Sequence, residues 1–163
     1  MSELLKRILT FGFLGALLVA GAIYFYNEGA TPTLAGEITE VRTLAMDEAS
    51  SVAVVNFSGT NTSDRIVFIH KRELTITDEN GATHIGLPVQ VSDVQNLFQY
   101  FPILGGMKDA PLLPRTEIEP GAELRGLVVG RFAMPKHELD ARKSLVVKFY
   151  SDQNRSTELS EVR

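Results

Sequence analysis

The longest apolar stretch of the chain covers residues 8–26, which are 19 residues without a charged side chain. At a helical rise of about 1.5 Å per residue, such a stretch reaches roughly the 30 Å thickness of a bilayer core. Lys6 and Arg7 precede it, and the positively charged flank of a membrane helix stays in the cytoplasm. We therefore expect a cytoplasmic tail over residues 1–7 and a single-pass transmembrane helix over residues 8–26. This helix would act as a signal-anchor in the cytoplasmic (inner) membrane.

A cleaved signal peptide is the alternative interpretation of the same stretch. Ala20-Gly21-Ala22 fits the small-residue pattern that precedes a cleavage site. The apolar run continues beyond that point to Tyr26, which favours a retained anchor. Both interpretations place the rest of the chain outside the cytoplasm, in the periplasm or another extracytoplasmic space.

Small residues recur along one side of the predicted transmembrane helix. Gly12, Ala16 and Ala20 are spaced by four residues, so they lie on one helix face. Small side chains at this spacing let two membrane helices pack closely. The spacing predicts a transmembrane packing face and, through it, a homo-oligomer.

The hydrophobic pattern changes after the anchor. Residues 27–36 are small and polar, with one proline and two glycines, as is typical of a linker. Short runs rich in β-branched residues then follow one another through an extracytoplasmic domain over residues 37–163. The predicted strands cover residues 51–57, 65–70, 73–78, 82–85, 116–118, 124–132, 145–150 and 157–162.

Two turn sequences set the spacing of these strands. Asn80-Gly81 is typical of a tight hairpin, and Pro120-Gly121 of a type II turn. Strands separated by such turns favour an antiparallel β-sandwich. We therefore expect a mainly β fold.

One short helix is predicted within the sandwich, over residues 93–101. Its apolar face comprises Val94, Leu97, Phe98 and Phe101. Ser92 and Gln95 have the spacing of a capping box, and Pro102 is expected to end the helix. A shorter helical turn is expected to start near Pro135.

The loop over residues 103–115 is unusually apolar for a connection. It either folds over an end of the sandwich or contacts a partner. As the candidate partner-binding residues of this region we name Tyr100, Ile103, Leu104, Met107, Leu112 and Leu113.

The turn sequences resemble those of a known class of domain. Residues 55–64 read Val-Asn-Phe-Ser-Gly-Thr-Asn-Thr-Ser-Asp, and residues 74–81 read Leu-Thr-Ile-Thr-Asp-Glu-Asn-Gly. Together with Pro120-Gly121 and the Gly-containing strand at 126–132, they are similar to bacterial membrane-anchored, extracytoplasmic immunoglobulin-like domains of unassigned function. The resemblance implies an immunoglobulin-like sandwich.

Composition excludes some kinds of site and disfavours one class of partner. The chain has 163 residues, a formal net charge of −4 and no cysteine. The charge does not favour a nucleic-acid partner, and the lack of cysteine excludes disulfides and thiolate sites.

Neither metal nor catalytic motifs are assembled in the sequence. His70, His84 and His137 are not spaced as metal ligands. Oxygen side chains before Gly81 resemble the start of a calcium loop, but the spacing and terminal glutamate of an EF-hand are absent. A nucleophile elbow and a phosphate-binding loop are also missing. We predict neither an enzyme nor a metal or other cofactor.

The functional prediction is a protein-interaction or accessory subunit of a membrane or envelope complex, with a membrane span and a protein partner. The alternative is a receptor domain for a small ligand or glycan. Its pocket would lie under the helix, bordered by Phe98, Tyr100 and Phe101.

Overall fold

The computed structural model describes residues 3–28, 34–151 and 156–161, with the side chains of the first helix described from residue 12 to 24. The chain forms two compact units, Met1–Thr31 and Pro32–Arg163. The first unit contains helix α1 (Glu3–Glu28). The second contains all the strands and the hydrophobic core.

Helix α1 includes the segment predicted as an anchor. Within the described residues, no helix combines the length and the apolar character that a membrane crossing requires. Residues 8–11, 25 and 26 of the predicted span lie outside the residues whose side chains are described. Gly12, Ala16 and Ala20 are exposed along α1, and their packing face stays a prediction.

The second unit is mainly β and antiparallel, as predicted. Its elements, in chain order, are β1 (Leu34–Ala45), β2 (Ser51–Asn61), β3 (Val67–Thr77), β4 (Thr83–Pro88), α2 (Val91–Tyr100), a 3-10 turn (Pro102–Leu104), β5 (Thr116–Ile118), β6 (Glu123–Phe132), α3 (Lys136–Asp140), β7 (Ser144–Ser151) and β8 (Ser156–Ser160). The short helix α3 follows Pro135, where a helical turn was expected.

The strands form one continuous, nearly barrel-like sheet with the order β1-β2-β6-β4-β3-β7-β8, and β5 pairs with β3. β4 joins the two halves of the sheet. Its residues Thr83 to Gly86 pair with β3, whereas Leu87 and Pro88 pair with β6. At the opposite side, β1 contacts β8. Strands 1, 2 and 6 therefore face strands 3, 7 and 8 across an enclosed core.

Both predicted turns form at their glycines, although Asn80 does not share the positive φ expected of an Asn-Gly hairpin turn. Gly81 has φ 88° and Gly121 has φ 73°, the left-handed region that glycine adopts without strain. The amide of Ala122 donates to the carbonyl of Glu119 at 3.0 Å, which closes the Pro120-Gly121 turn.

Several strand boundaries differ from the prediction. β1 was not predicted, and it begins at Leu34, inside the predicted linker over residues 27–36. Residues 29–33 of that linker lie outside the described residues. The runs 65–70 and 73–78 form one strand, β3, because a register shift between Ile69 and Lys71 lets the ladder with β7 continue past residue 70.

The two faces of β2 contact two different apolar clusters. Ala53, Val55 and Phe57 point into the core between the two halves of the sheet. The alternate residues Val52 and Val54 point outward, into a second apolar cluster. Since both faces of β2 are covered, it reads as a continuous apolar run rather than an alternating one.

The second cluster is covered by α2 and the 3-10 turn. It consists of Leu44, Val52, Val54, Val94, Leu97, Leu104, Leu127 and Val129. The helix and its loop thus lie on the outer face of strands 1, 2 and 6. The prediction that this segment folds over an end of the sandwich is wrong, because the segment covers the outer face of these strands.

A buried ion pair anchors the last strand. Arg142 is only 4% exposed, and its guanidinium donates to both carboxylate oxygens of Glu161, at 2.8 and 3.1 Å. It also donates to the carbonyl of Leu139 at 3.0 Å. Arg142 therefore ties the end of α3 to the end of β8.

Candidate functional site

The helix α2 begins two residues earlier than the sequence predicted. It starts at Val91, with Gln90 as N-cap and no side-chain capping bond. The predicted capping box of Ser92 and Gln95 is therefore wrong, because Ser92 lies inside the first turn. The carbonyl of Gln90 instead accepts from the amides of Asp93 and Val94, both at 3.0 Å.

The helix ends one residue earlier than predicted. Its last residue is Tyr100, and Pro102 opens the 3-10 turn. Val94 and Leu97 are buried, but Phe98 and Phe101 are only half-buried. Phe98 is covered from outside by the guanidinium of Arg42, 5.2 Å from the ring centroid. Phe98 thus lies at the margin of the second cluster rather than in its centre.

Arg42 holds the loop after α2 against the sheet. One of its terminal nitrogens donates to the carbonyls of Leu104 at 2.6 Å and Gly106 at 3.0 Å. The other donates to Oδ1 of Asn56 at 2.8 Å. Arg42 on β1 is thus hydrogen-bonded both to β2 and to loop residues that lie more than 60 positions later in the chain.

Two further contacts hold the same loop against β1 and β2. Asn56, only 1% exposed, donates through Nδ2 to a carboxylate oxygen of Asp109 at 2.5 Å. Lys108 donates to Glu40 at 2.9 Å, and this hydrogen bond together with the charge of Arg42 lowers the pKa of the Glu40 carboxyl. The loop is therefore held through its backbone at Leu104 and Gly106 and through the side chains of Lys108 and Asp109.

The six predicted partner-binding residues separate into three groups. Leu104 and Leu112 are each 3% exposed, so they are removed from the candidate contact surface. Leu104 packs in the second cluster, and Leu112 reaches the main core. The reason is backbone pairing: the amide of Leu112 donates to the carbonyl of Leu127 at 3.0 Å, which lays this part of the loop along β6.

The other four residues are exposed, but they are not one patch. Tyr100 is 73% exposed, Ile103 85%, and Met107 41%, and all three lie at or beyond the last turn of α2. Leu113 instead shares a groove with Val91 at the first turn. The nine residue-to-residue steps from Val91 to Tyr100 span about 13 Å along a helix axis. We refer to Tyr100, Ile103 and Met107 as the loop surface.

The groove beside Leu113 has a volume of about 630 Å³. Its apolar wall is formed by Pro88, Val89, Val91, Leu113 and Pro114, and its polar side by His70, Lys71, Arg72, Gln90 and Ser92. It opens where β4 leaves β3 for β6, at one end of α2. None of Phe98, Tyr100 and Phe101, which border the predicted pocket, lines this groove, so the predicted pocket stays a prediction.

Arg72 is the unusual group of the groove. It lies two residues before the buried Leu74, on the face of β3 that points inward, and it is half-buried. Burial lowers the pKa of its guanidinium. Within residues 34–151 and 156–161, the guanidinium of Arg72 makes neither a hydrogen bond nor an ion pair.

The hairpin at Gly81 uses the oxygens that resembled a calcium loop. Oδ1 of Asp78 accepts from the amides of Asn80 at 2.8 Å and Ala82 at 2.9 Å. Oδ2 contacts Nε2 of His84 at 2.9 Å, and these bonds, that of His84 first, lower the pKa of the Asp78 carboxyl. In the part of the chain that the structure describes, there is no group of three or more metal-ligating side chains.

Sequence reasoning missed Arg42, Asn56 and Arg72. Asn56 carried a usable signal, since it is a polar residue inside the apolar run of β2 and such a residue needs a buried partner. Arg42 and Arg72 lie in mixed polar strand sequences that are also typical of exposed edges, so no local pattern distinguishes them.

No protein-family model matches the chain. No curated protein matches it either. Among solved structures, it is similar to the archaellum periplasmic stator protein FlaG from Sulfolobus acidocaldarius, with 8% sequence identity and a TM-score of 0.32. The alignment covers 78% of this chain and 98% of the FlaG chain. The likeness concerns a β-rich fold and carries no argument about function.

Proposed function

We propose that this protein is a protein-binding accessory subunit of a membrane or envelope complex rather than an enzyme. The loop surface carries the proposal. Tyr100, Ile103 and Met107 expose apolar area on a segment whose backbone is held by Arg42. Large exposed apolar side chains on an ordered segment are typical of a protein contact.

The rigidity of the loop favours binding. A partner does not have to pay the entropy of ordering a loop that is already held in one conformation. Aromatic side chains and methionine are enriched in the centres of protein interfaces. Full burial of a side chain such as Ile103 contributes about 1.5–3 kcal/mol, so this surface suits a contact that is reinforced by a shared membrane location.

The proposed location is the outer side of the cytoplasmic membrane, with the N-terminus inside. The uncharged run over residues 8–26 and the preceding Lys6 and Arg7 support this orientation. Exposed apolar side chains along α1, such as Phe13, Leu18 and Val19, need an apolar cover. Lipid is the proposed cover, with a second copy packing against the small residues at positions 12, 16 and 20.

The proposed fold family is the immunoglobulin-like sandwich. Its core has one sheet with strands A, B and E and a facing sheet with strands G, F and C. The order β1-β2-β6 corresponds to A-B-E, and β8-β7-β3 to G-F-C. β4 follows β3 first as a C′ strand and then pairs with β6. The segment containing α2 is then an insertion between C′ and E.

Site-specific photo-crosslinking in intact cells tests the loop surface. A crosslinker at position 103 is expected to give a discrete adduct, whereas one at Ile66, another exposed isoleucine, is not. Ile103→Asp is expected to shift the membrane-extracted protein to a smaller native size, and Ile66→Asp to leave it unchanged. The proposal fails if neither position gives an adduct, or if Ile66→Asp has the same effect as Ile103→Asp.

Reporter fusions test the location separately. Alkaline phosphatase fused to the C-terminus is expected to be active, because Lys6 and Arg7 retain the N-terminus inside. Mass spectrometry is expected to find an uncleaved N-terminus. Activity only of a cytoplasmic reporter would overturn the orientation, and a mature chain that starts at Ile23 would establish the cleaved signal peptide instead.

A second candidate function is recognition of a small ligand. The groove at Arg72 favours it, because a cavity of this size with an apolar wall and few polar groups is typical of ligand sites. It uses a surface other than Tyr100, Ile103 and Met107.

A further inference from the structure

We propose that the groove at Arg72 binds a small organic monoanion, namely a carboxylate attached to an apolar body. The inference deepens the second candidate function and does not depend on the loop surface. It stands on three features of the groove: one uncompensated cation, the balance of charge around it, and an apolar wall of suitable size.

The cation is the guanidinium of Arg72. Taking a charge partly out of water costs free energy unless an opposite charge or hydrogen-bond acceptors replace the water. Arg72 has no such acceptor in the described part of the chain, although it occupies an inward-facing position next to Leu74. A bound carboxylate would supply the acceptor, and the planar guanidinium can donate two parallel hydrogen bonds to it.

The charge around Arg72 indicates a single negative charge on the ligand. Lys71 is already paired with Glu73 at 3.2 Å and lies over the ring of Tyr150. Among the residues that the structure describes, no acidic side chain lines the groove. One cation is therefore left to be neutralised, which suits a monoanion better than a polyanion, and the net charge of −4 of the whole chain also disfavours polyanions.

The opposite wall indicates an apolar body on the ligand. β4 pairs with β3 as far as Gly86, opposite Leu74, and then turns away to β6. β5 pairs with β3 only from Ile69 backward. The edge of β3 at Arg72 is thus bordered by the groove, whose far side is formed by prolines and aliphatic side chains.

The cavity size limits the ligand to a small molecule. Its volume of about 630 Å³ lies within the usual range for small-ligand sites. The proposed ligand therefore combines one carboxylate at Arg72 with an aliphatic or aromatic group against Val91 and Leu113.

Fluorine NMR titration of the full chain in lipid nanodiscs tests this inference. The probes are para-fluorophenylacetate and its neutral amide, which share the apolar body and differ in charge. Empty nanodiscs provide the background. The acid is expected to bind about tenfold or more tightly than the amide, as a charge-assisted hydrogen bond implies. Unlabelled acetate, which has the anion without the body, is expected to compete poorly.

Two variants assign the effect to Arg72. Arg72→Gln is expected to lower the affinity for the acid about tenfold and to leave that for the amide unchanged. Lys71→Gln is the matched control, since it removes a neighbouring positive charge that is already paired with Glu73. It is expected to leave the difference between acid and amide in place. Thermal melting by circular dichroism verifies that each variant is folded.

A third variant covers the case in which Arg72→Gln does not fold. Leu113→Glu places a carboxylate at an exposed position of the groove and is expected to abolish binding of the acid by occupying Arg72. Equal binding of acid and amide to the wild type, or unchanged preference for the acid in the folded Arg72→Gln or Leu113→Glu variant, overturns the proposal. The crosslinking result at Ile103 bears only on the loop surface, so the two failures are distinguishable.

Discussion

Replacement of Arg42 by methionine is expected to release the loop after α2 and to destabilise the domain. Methionine keeps an apolar stem of similar length but removes the guanidinium. The carbonyls of Leu104 and Gly106 lose their donor, and so does Oδ1 of the buried Asn56. The cation over the ring of Phe98 is lost as well.

The magnitude follows from the number and kind of these contacts. A hydrogen bond to a charged group contributes about 1.5–3 kcal/mol, but bonds from one side chain do not add independently. Removing one partner of a buried charged network costs about 3–5 kcal/mol. We expect a loss of this size for Arg42, whose side chain is 16% exposed. For a domain of this length, that loss lowers the melting temperature by about 10 °C or more.

Two measurements on the full chain check this prediction. Circular dichroism follows thermal unfolding, and hydrogen exchange with mass spectrometry follows residues 102–109, where exchange is expected to accelerate before the sheet unfolds. Arg125→Met is the control. Arg125 is an exposed arginine paired with Glu123, and its loss is expected to cost less than about 0.5 kcal/mol. If Arg42→Met melts like Arg125→Met and residues 102–109 keep their protection, the inferred role of Arg42 is incorrect.

Three further predictions concern stability and are measured by thermal melting of the full chain. Arg142→Met is expected to cost about 3–5 kcal/mol, because it leaves a carboxylate without its buried partner. The exposed neighbour variant Lys143→Met is expected to be neutral, and equal effects would contradict the buried pair. Gly81→Val is expected to cost about 1 kcal/mol or more because of its φ of 88°, whereas Gly106→Val, at an open position without positive φ, is not. Asp78→Ala is expected to destabilise the protein at neutral pH but progressively less as the pH falls below about 4, since the native pKa of Asp78 is lowered and its stabilising contribution is lost on protonation; a pH-independent difference would refute this.

In the candidate site, the local sequence pattern predicted which residues are buried in the helix but not in the loop after it. The apolar spacing of Val94 and Leu97 correctly predicted their burial, because a helix has a fixed period. The loop after it has no period. Ile103 and Leu104 are adjacent apolar residues, yet the first is 85% exposed and the second is 3% exposed. The carbonyl of Leu104 accepts a hydrogen bond from Arg42, which lies 62 positions away in the chain. The amide of Leu112 donates to the carbonyl of Leu127 on β6. These long-range bonds determine which side chains of the loop point inward.

The environments of three arginines were likewise not predictable from the neighbouring sequence. Arg42, Arg72 and Arg142 all lie in polar surroundings in the sequence, and Arg142 belongs to a run that is typical of a mixed surface cluster. In the structure, Arg42 binds carbonyls and Arg142 is buried against Glu161. Arg72 is half-buried and has no acidic partner among the described residues. The free energy of a charged side chain depends on what surrounds it, and those surroundings come from distant segments.

Some features of the fold have local causes and were therefore predictable from the sequence. These are the turns at Gly81 and Gly121, the apolar face and the end of α2, and the mainly β class, all of which follow from backbone sterics and short-range periodicity. Three other features became visible only in the folded chain: the joining of two predicted strands into β3, the covering of β2 by α2, and the separation of the loop surface from the groove at Arg72. These features depend on which strands pair and which faces meet, and such contacts between distant residues form when the chain buries its apolar surface in a single arrangement.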